Sequence, residues 1–233
     1  MNEYTIHSYS AFHEYVEEHF ENGTYYRGVN SLEDHKLIPS IGRTYSGNMH
    51  TGHWEIFLQG EQHALEIFIT EAQRLSNFPL QNIWEYAFLA QHHGLFTRLM
   101  DWSMNPMVAL YFALEKPTKD DSAVYVSAGK ESLDFVQVKN RYENFKAVDD
   151  NLFIIPNNVS PRMAAQAAIF SVQRDPFKEF IVDDLSRIRI PNSIRAEIRK
   201  SLNKYGINRK SLFPDLDGLS AWINSMKFSI EEF

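Results

Sequence analysis

Apolar positions recur along this chain in two periods, and each switch between them marks an element. From Ser10 to Phe20, residues Phe12, Tyr15, Val16 and Phe20 fall on one side of a 3.6-residue repeat, with Glu14, Glu17 and Glu18 opposite. This predicts an amphipathic helix capped by Ser10 and stopped at Asn22-Gly23. Thr24–Val29 has strand composition. Residues 31–53, with Pro39, Gly42, Gly47 and Gly52, predict a loop. A second helix is expected from Glu55 or Glu61 to Ser76, with Leu65, Phe68, Ile69 and Leu75 in its stripe. Pro79 separates it from a third over Gln81–His93, where Trp84, Ala87, Phe88 and Gln91 share a face and Gly94 is the stop.

Leu95–Trp102 reads as extended. Asn105-Pro106 then supplies an N-cap and a first helical residue. The helix it opens runs to Leu114 and is apolar on all sides, so it should be buried. Ala123–Ala128, Leu152–Ile155 and Ile169–Val172 read as short buried strands. From Asn192 the pattern is helical again, with Ile194, Ile198 and Leu202 in register and Gly206 as the stop. A last helix follows Pro214 and carries Leu216, Leu219, Trp222 and Ile223. Helices and strands mix without regular βαβ alternation, which predicts an α+β fold. No repeat or linker interrupts the chain. It reads as a single domain over 1–233, with an N-terminal helix (1–22), a mixed core (23–182) and a C-terminal helical part (183–233).

With 44% hydrophobic and 23% charged residues, 233 residues can build one substantial core. Cysteine is absent. That excludes disulfides, thiolate metal sites and cysteine nucleophiles, and it suits a reducing compartment. The first residues lack the basic-then-apolar pattern of a secretion signal, and no run reaches the roughly 18–20 apolar residues of a membrane span. A cytoplasmic protein without a membrane partner is expected. A net charge of −7 disfavours bulk coating of nucleic acid but leaves room for a local basic pocket. His50-Thr-Gly-His53, with His63 nearby, has metal-like spacing, but it lies in a Gly-rich polar loop and no metal site is expected.

The densest chemistry lies between Gln91 and Ala113, where polar groups sit inside strongly apolar sequence. Such groups must be paired or hydrogen-bonded when buried. Arg27, between apolar neighbours on a strand, needs an anion: either a structural partner such as Asp101 or a bound carboxylate or phosphate. Gly28 beside it lets a backbone or a ligand approach closely. His92, at a helix end, either satisfies free carbonyls or faces a ligand. Period two puts Thr97, Asp101 and Ser103 on one face, fit for sugar hydroxyls, and Arg98, Met100 and Trp102 on the other. Ser103 serves equally as a helix cap. Arg162 and Gln166 stand four residues apart on one helical face, which is either solvated or part of a site. No Walker loop, G-x-G-x-x-G, G-x-S-x-G or H-E-x-x-H is present.

In order, YRG, LIPSIGR, AQHHGLFTRLMDWSMNPMVALYFA, PRMAAQAAIF and SLFPDLDGL resemble the FRG-domain family of bacterial and phage proteins, from Thr24 to Leu219. Phe96 stands where that family usually has Pro, and Leu99–Ser103 (LMDWS) replaces LLDWT. A second resemblance is to mono-ADP-ribosyltransferases. Arg27-Gly28 is similar to their aromatic-Arg-Gly strand, Asp101-Trp102-Ser103 with Ala109–Phe112 to their hydroxyl-bearing strand and helix, and Gln166 stands in the place of their catalytic Glu. This second resemblance implies an ADP-ribosyltransferase-like split sheet with flanking helices and a C-terminal helical extension, and NAD as substrate. In it Arg27 holds the pyrophosphate. His92 and Ser103 orient the nicotinamide ribose, and Trp102 or Tyr26 stacks the nicotinamide. Gln166, with Asp101 or Glu85, supports the charge at C1′. Gly28, Thr97, Arg98 and Arg162 complete the nucleotide site. Gln166 is uncharged and cannot act as a base. Three outcomes stay open. The chain transfers ADP-ribose to a protein or nucleic-acid acceptor, or to water as an NAD glycohydrolase. Or it is a non-catalytic nucleotide-sensing or protein-interaction module in phage–host conflict. Or Arg27, Asp101 and Arg98 form a buried network that only holds the fold. Glu85 reads equally as a solvated helix residue.

Overall fold

A computed structural model describes residues 1–44, 54–75, 80–130, 132–157 and 160–227. The first half of the chain forms β1 (Asn2–Thr5), α1 (Tyr9–His19), β2 (Tyr25–Val29), α2 (Ser40–Thr44), α3 (Trp54–Ala72), α4 (Ile83–His92), β3 (Leu99–Ser103) and α5 (Pro106–Leu114). The second half forms β4 (Ser122–Ser127), β5 (Ser132–Asp134), α6 (Phe135–Arg141), β6 (Leu152–Ile155), α7 (Pro161–Ala165), β7 (Ala168–Val172), β8 (Ser186–Ile190), α8 (Arg195–Lys204), α9 (Arg209–Leu212) and α10 (Leu216–Lys227).

The strands make one mixed sheet in the order β1-β8-β4-β2-β3-β7-β6-β5. Among the described residues only β1/β8 and β5/β6 are parallel pairs. In the middle, β2 registers with β4 over five pairs and β3 with β7 over five, but β2 and β3 meet at the single pair Tyr26↔Ser103. The sheet is therefore continuous but barely joined at its centre.

The cores respect this seam. On one face, Trp84 and Phe88 of α4 pack with Leu99 and Phe170 over β3 and β7. Beside them on the same face, Phe12, Leu110, Val124, Ile188 and Ile198 form a separate cluster around β2, β4 and β8. Side-chain alternation sends Tyr25, Met100, Trp102 and Tyr125 to a third cluster on the opposite face, with Phe153 and Phe180. The all-apolar α5 lies directly against β2. A Cβ at Gly28 would sit 2.0 Å from the Ala109 carbonyl oxygen and 2.4 Å from the Ala113 nitrogen, so glycine is required by a close backbone approach.

Local signals explain the helix ends. Asn105 accepts from the Met107 N–H at 2.9 Å and Pro106 opens α5, as the sequence predicts. Asn82 caps α4, and Gly94, at φ +89°, follows its last turn.

Several expectations need correction. A strand, β1, precedes the first helix, and Ser8 rather than Ser10 caps α1, accepting from the Ala11 N–H at 3.1 Å. The loop predicted over 31–53 contains α2. β3 starts at Leu99, so Thr97 and Arg98 precede it and do not share its alternation. The part 183–233 is not all helical: β8 lies within the sheet between β1 and β4, with Ile188 and Ile190 buried. β5 and α6 are also additions. The candidate metal residues His50 and His53 lie outside the described residues, as do Gly47, Gly52, Ser76 and Pro79. Among the described residues no group of His, Cys, Asp or Glu is placed to hold a metal, and no helix is long and apolar enough to cross a membrane.

Candidate ligand cleft at the central seam

The two strands at the seam diverge from Tyr26 and Ser103, and the opening between them is a cleft of about 380 Å³. Arg27 comes from β2 and Asp101 from β3, His92 from the end of α4, and Arg162 and Gln166 from α7 and its cap.

Asp101 is held from behind. The Thr97 hydroxyl donates to Gln91 Oε1 at 2.6 Å and accepts the Leu99 N–H at 3.0 Å. This fixes which way the Gln91 amide points. Gln91 Nε2 donates to Asp101 Oδ2 at 2.9 Å. The Asp101 side chain remains 47% exposed, so a fixed carboxylate faces the opening. His92 Nδ1 is 3.9 Å from Asp101 Oδ1, while its Nε2 is buried without a partner. Burial pushes the His92 imidazole down to about 4, helped by Arg162 and His93 and opposed by Asp101. At neutral pH His92 is thus an uncharged hydrogen-bonding group.

Arg27 donates from Nη1 to the Asp101 backbone carbonyl, not to its carboxylate. Its Nε has no partner. Burial, and secondarily Arg43, lowers its pKa to about 10 against the pull of Asp101, which still leaves a cation at pH 7. Arg162 stacks over Phe213, with Cζ 4.5 Å from the ring centroid, and its Nε is also unpartnered. Gln166 Nε2 donates to the Leu212 carbonyl at 3.0 Å, so the segment before α10 closes this wall.

Among the described residues the lining carries Arg27, Lys36, Arg43, Lys116 and Arg162 against Asp101 and Glu115. Glu115 accepts from Arg209 at 2.7 Å. A protein of net charge −7 has therefore gathered five cations in one opening. The buried nitrogens Arg27 Nε, His35 Nδ1, His92 Nε2 and Arg162 Nε all belong to lining residues and lack partners within the described chain. Unsatisfied buried groups are rare enough that four at one cleft point to a ligand or bound water. A wider depression of about 810 Å³ beyond β6 mixes four cations with five carboxylates and has no such one-sided charge.

Residues 22–122 match the family model of the FRG domain. No curated protein and no solved structure matches the chain. The FRG segment contains the β2–β3 wall, including Arg27, Gln91, His92 and Asp101, whereas Arg162 and Gln166 lie beyond it.

Of the residues singled out from sequence, Tyr26, Arg27, Gly28, His92, Asp101, Ser103, Arg162 and Gln166 come together here. Ser103 is occupied: its hydroxyl donates to the Gln166 carbonyl at 2.7 Å and accepts the Asn105 N–H at 2.9 Å. Tyr26 borders the cleft with its ring edge-on to Phe20, 6.1 Å between centroids. Trp102 also borders it, but its indole donates to Ser171 Oγ at 2.9 Å and packs edge-on to Phe153 in the opposite-face core. It is not placed to stack a nicotinamide. Thr97 stands behind Gln91 and does not line the opening.

Two further residues lie elsewhere. Arg98 is fully buried, with Nε 2.7 Å from Glu61 Oε2 and Nη2 donating to the Phe145 carbonyl at 2.6 Å. It is a structural cation. Glu85 sits at the opposite end of α4 from His92, where its carboxylate accepts from the Gln81 N–H at 2.6 Å and from Asn157 Nδ2 at 2.5 Å. It braces the first turn of α4 and is not a cleft carboxylate, whereas Asp101 lines the opening.

Gln91, His35, Lys36, Arg43 and Lys116 are cleft residues beyond those expected from sequence, and Glu61 is the unexpected partner of Arg98. Signals existed for some. Arg43 ends the LIPSIGR motif, Gln91 begins QHHG, and Glu61 stands one turn before buried Leu65 on the same helix face. Nothing in the local pattern marks His35, Lys36 or Lys116.

Proposed function

We propose that the cleft binds NAD and that the protein breaks its nicotinamide–ribose bond, transferring ADP-ribose to a macromolecular acceptor. The observation that carries this reading is the charge order of the opening: a fixed, half-exposed carboxylate between cations. A carboxylate weakens a site meant only for anions. It suits a ligand that has a positive centre flanked by anionic groups, and NAD combines a pyrophosphate with a cationic nicotinamide. The motif order shared with mono-ADP-ribosyltransferases supports the same ligand.

In this mechanism the Arg27 guanidinium binds the pyrophosphate. The C1′–N bond breaks with its electron pair passing to the nicotinamide nitrogen. The Asp101 carboxylate, aimed by Gln91 and Thr97, stabilises the positive charge that develops on the ribose. The acceptor oxygen or nitrogen then bonds to C1′ and loses its proton to Asp101 or to the neutral His92 beside it. With water as acceptor the same steps make an NAD glycohydrolase.

Gln166, standing where the resemblance places a glutamate, favours a second reading: a nucleotide sensor that binds without turnover. Calorimetry with NAD, paired with chromatography of nicotinamide with and without cell lysate, separates the readings. Neither binding nor release refutes both, and binding without release selects the sensor. In the enzymatic reading Asp101→Asn keeps binding but slows release on the order of 100-fold or more.

A further inference from the structure

The five cations are more than NAD needs. Its pyrophosphate carries two negative charges and its nicotinamide ring one positive. Arg27 answers the pyrophosphate, and Arg162 stands at the α7 side of the cleft near Asp101. Lys36, Arg43 and Lys116 also line the cleft, all solvent-exposed at the mouth on the β2–α2 side, with Arg43 braced by a hydrogen bond from Nη1 to the Ile38 carbonyl at 2.5 Å. Glu115, the second carboxylate of the lining, is held by Arg209.

His35 completes this mouth. Its Nδ1 is buried and unpartnered. Its imidazole is pushed down by burial first and then by Arg43, with Asp34 opposing and Arg27 and Lys116 adding smaller pushes, so these groups share one electrostatic neighbourhood. Like charges held together repel one another and lower stability. An exposed mouth that keeps three cations beside an unsatisfied imidazole is suited to a dianion.

We propose that the mouth is a second phosphate site and that the preferred dinucleotide carries a 2′-phosphate on its adenosine ribose, as NADP does. This rests on the cleft holding a dinucleotide at all. A 2′-phosphate adds roughly −1.5 to −2 charges at neutral pH, and arginine beside a dinucleotide site is a recurrent way to accept it. The pyrophosphate in the seam would then leave the adenosine end pointing outward, toward Lys36 and Arg43.

The test is calorimetric titration of the full chain with NADP, NAD, adenosine 2′,5′-bisphosphate and 5′-AMP at fixed salt, repeated with Lys36→Ala and Arg43→Ala singly and together. Both side chains are exposed, so the variants should fold, and a melting curve checks this. NADP should bind at least tenfold more tightly than NAD, and the bisphosphate more tightly than 5′-AMP. The double variant should lower NADP affinity at least tenfold and NAD affinity less than threefold. Equal affinities for NAD and NADP would overturn the phosphate site while leaving the cleft as a dinucleotide site. A preference for NADP that survives the double variant would also overturn the assignment to this mouth. Binding of neither dinucleotide would overturn this inference together with the reading it rests on.

Discussion

Glu61→Ala should be among the most damaging single changes in this protein, although the residue lies outside the cleft. The Glu61 and Arg98 side chains are 2% and 0% exposed. Glu61 accepts the Arg98 backbone N–H at 2.5 Å and its Nε at 2.7 Å. Two carbonyls, those of Phe145 and Val148, take the rest of the guanidinium at 2.6 and 3.4 Å. Removing the carboxylate leaves a buried cation without its counter-charge, which costs about 3–5 kcal/mol. For a chain of this size that lowers the melting temperature by about 6–20 °C. Replacing both partners with apolar residues, Glu61→Leu with Arg98→Met, should be milder than Glu61→Ala alone, because no charge is stranded. Urea unfolding monitored by tryptophan fluorescence measures Glu61→Ala, the double variant and its two singles, Glu61→Leu and Arg98→Met. A Glu61→Ala loss below about 1 kcal/mol, or a double variant as damaged as the sum of the singles, would refute the argument.

Gly28→Ala drives a methyl group into the α5 backbone and should destabilise by about 2–3 kcal/mol or more, with the helix displaced, as a melting curve and a structure of the variant would show. His92, held neutral with its pKa at about 4 against 6.5 unfolded, binds fewer protons folded than unfolded between those values, so its contribution is present above pH 6.5 and lost as pH falls toward 4. That contribution is up to about 3 kcal/mol, and His92→Gln should flatten the acid limb of stability measured between pH 4 and 6.5. Thr97→Val removes the donor that orients Gln91, so nicotinamide release should slow about tenfold or more while NAD affinity changes little; an equal loss in both would mean that Thr97 only supports the fold.

Elements with their own punctuation were legible in the sequence. Asn105-Pro106 and Gly94 mark their helix ends through single-residue geometry, and the apolar strands β4, β6 and β7 announce their burial by composition. β1 was not legible: Asn2–Thr5 is mostly exposed and exists because β8 offers it a parallel edge. β8 carried a period-two signal in Ile188 and Ile190, but its arginines gave it the look of a solvated segment. At the cleft, residues in apolar surroundings stood out, while Lys36 and Lys116, exposed and locally ordinary, gain meaning only through their neighbours. The misreadings of Arg98 and Glu85 share one cause. A buried charge in sequence says that a partner exists, and only the fold tells a partner in the chain from one outside it.

The FRG segment supplies β2 and β3 and stops at Ser122, the first residue of β4, which flanks β2 on its other side. Its outer neighbours, β7 beside β3 and β8 beside β4, both come from later in the chain. A fragment ending at residue 122 would therefore break off as β4 begins, retaining the thinly joined β2–β3 pair with its edges unpaired and prone to self-association. Residues 22–122 thus hold the β2–β3 seam and most of its charged lining, while the strands that frame the seam on both sides are completed by later parts of the chain.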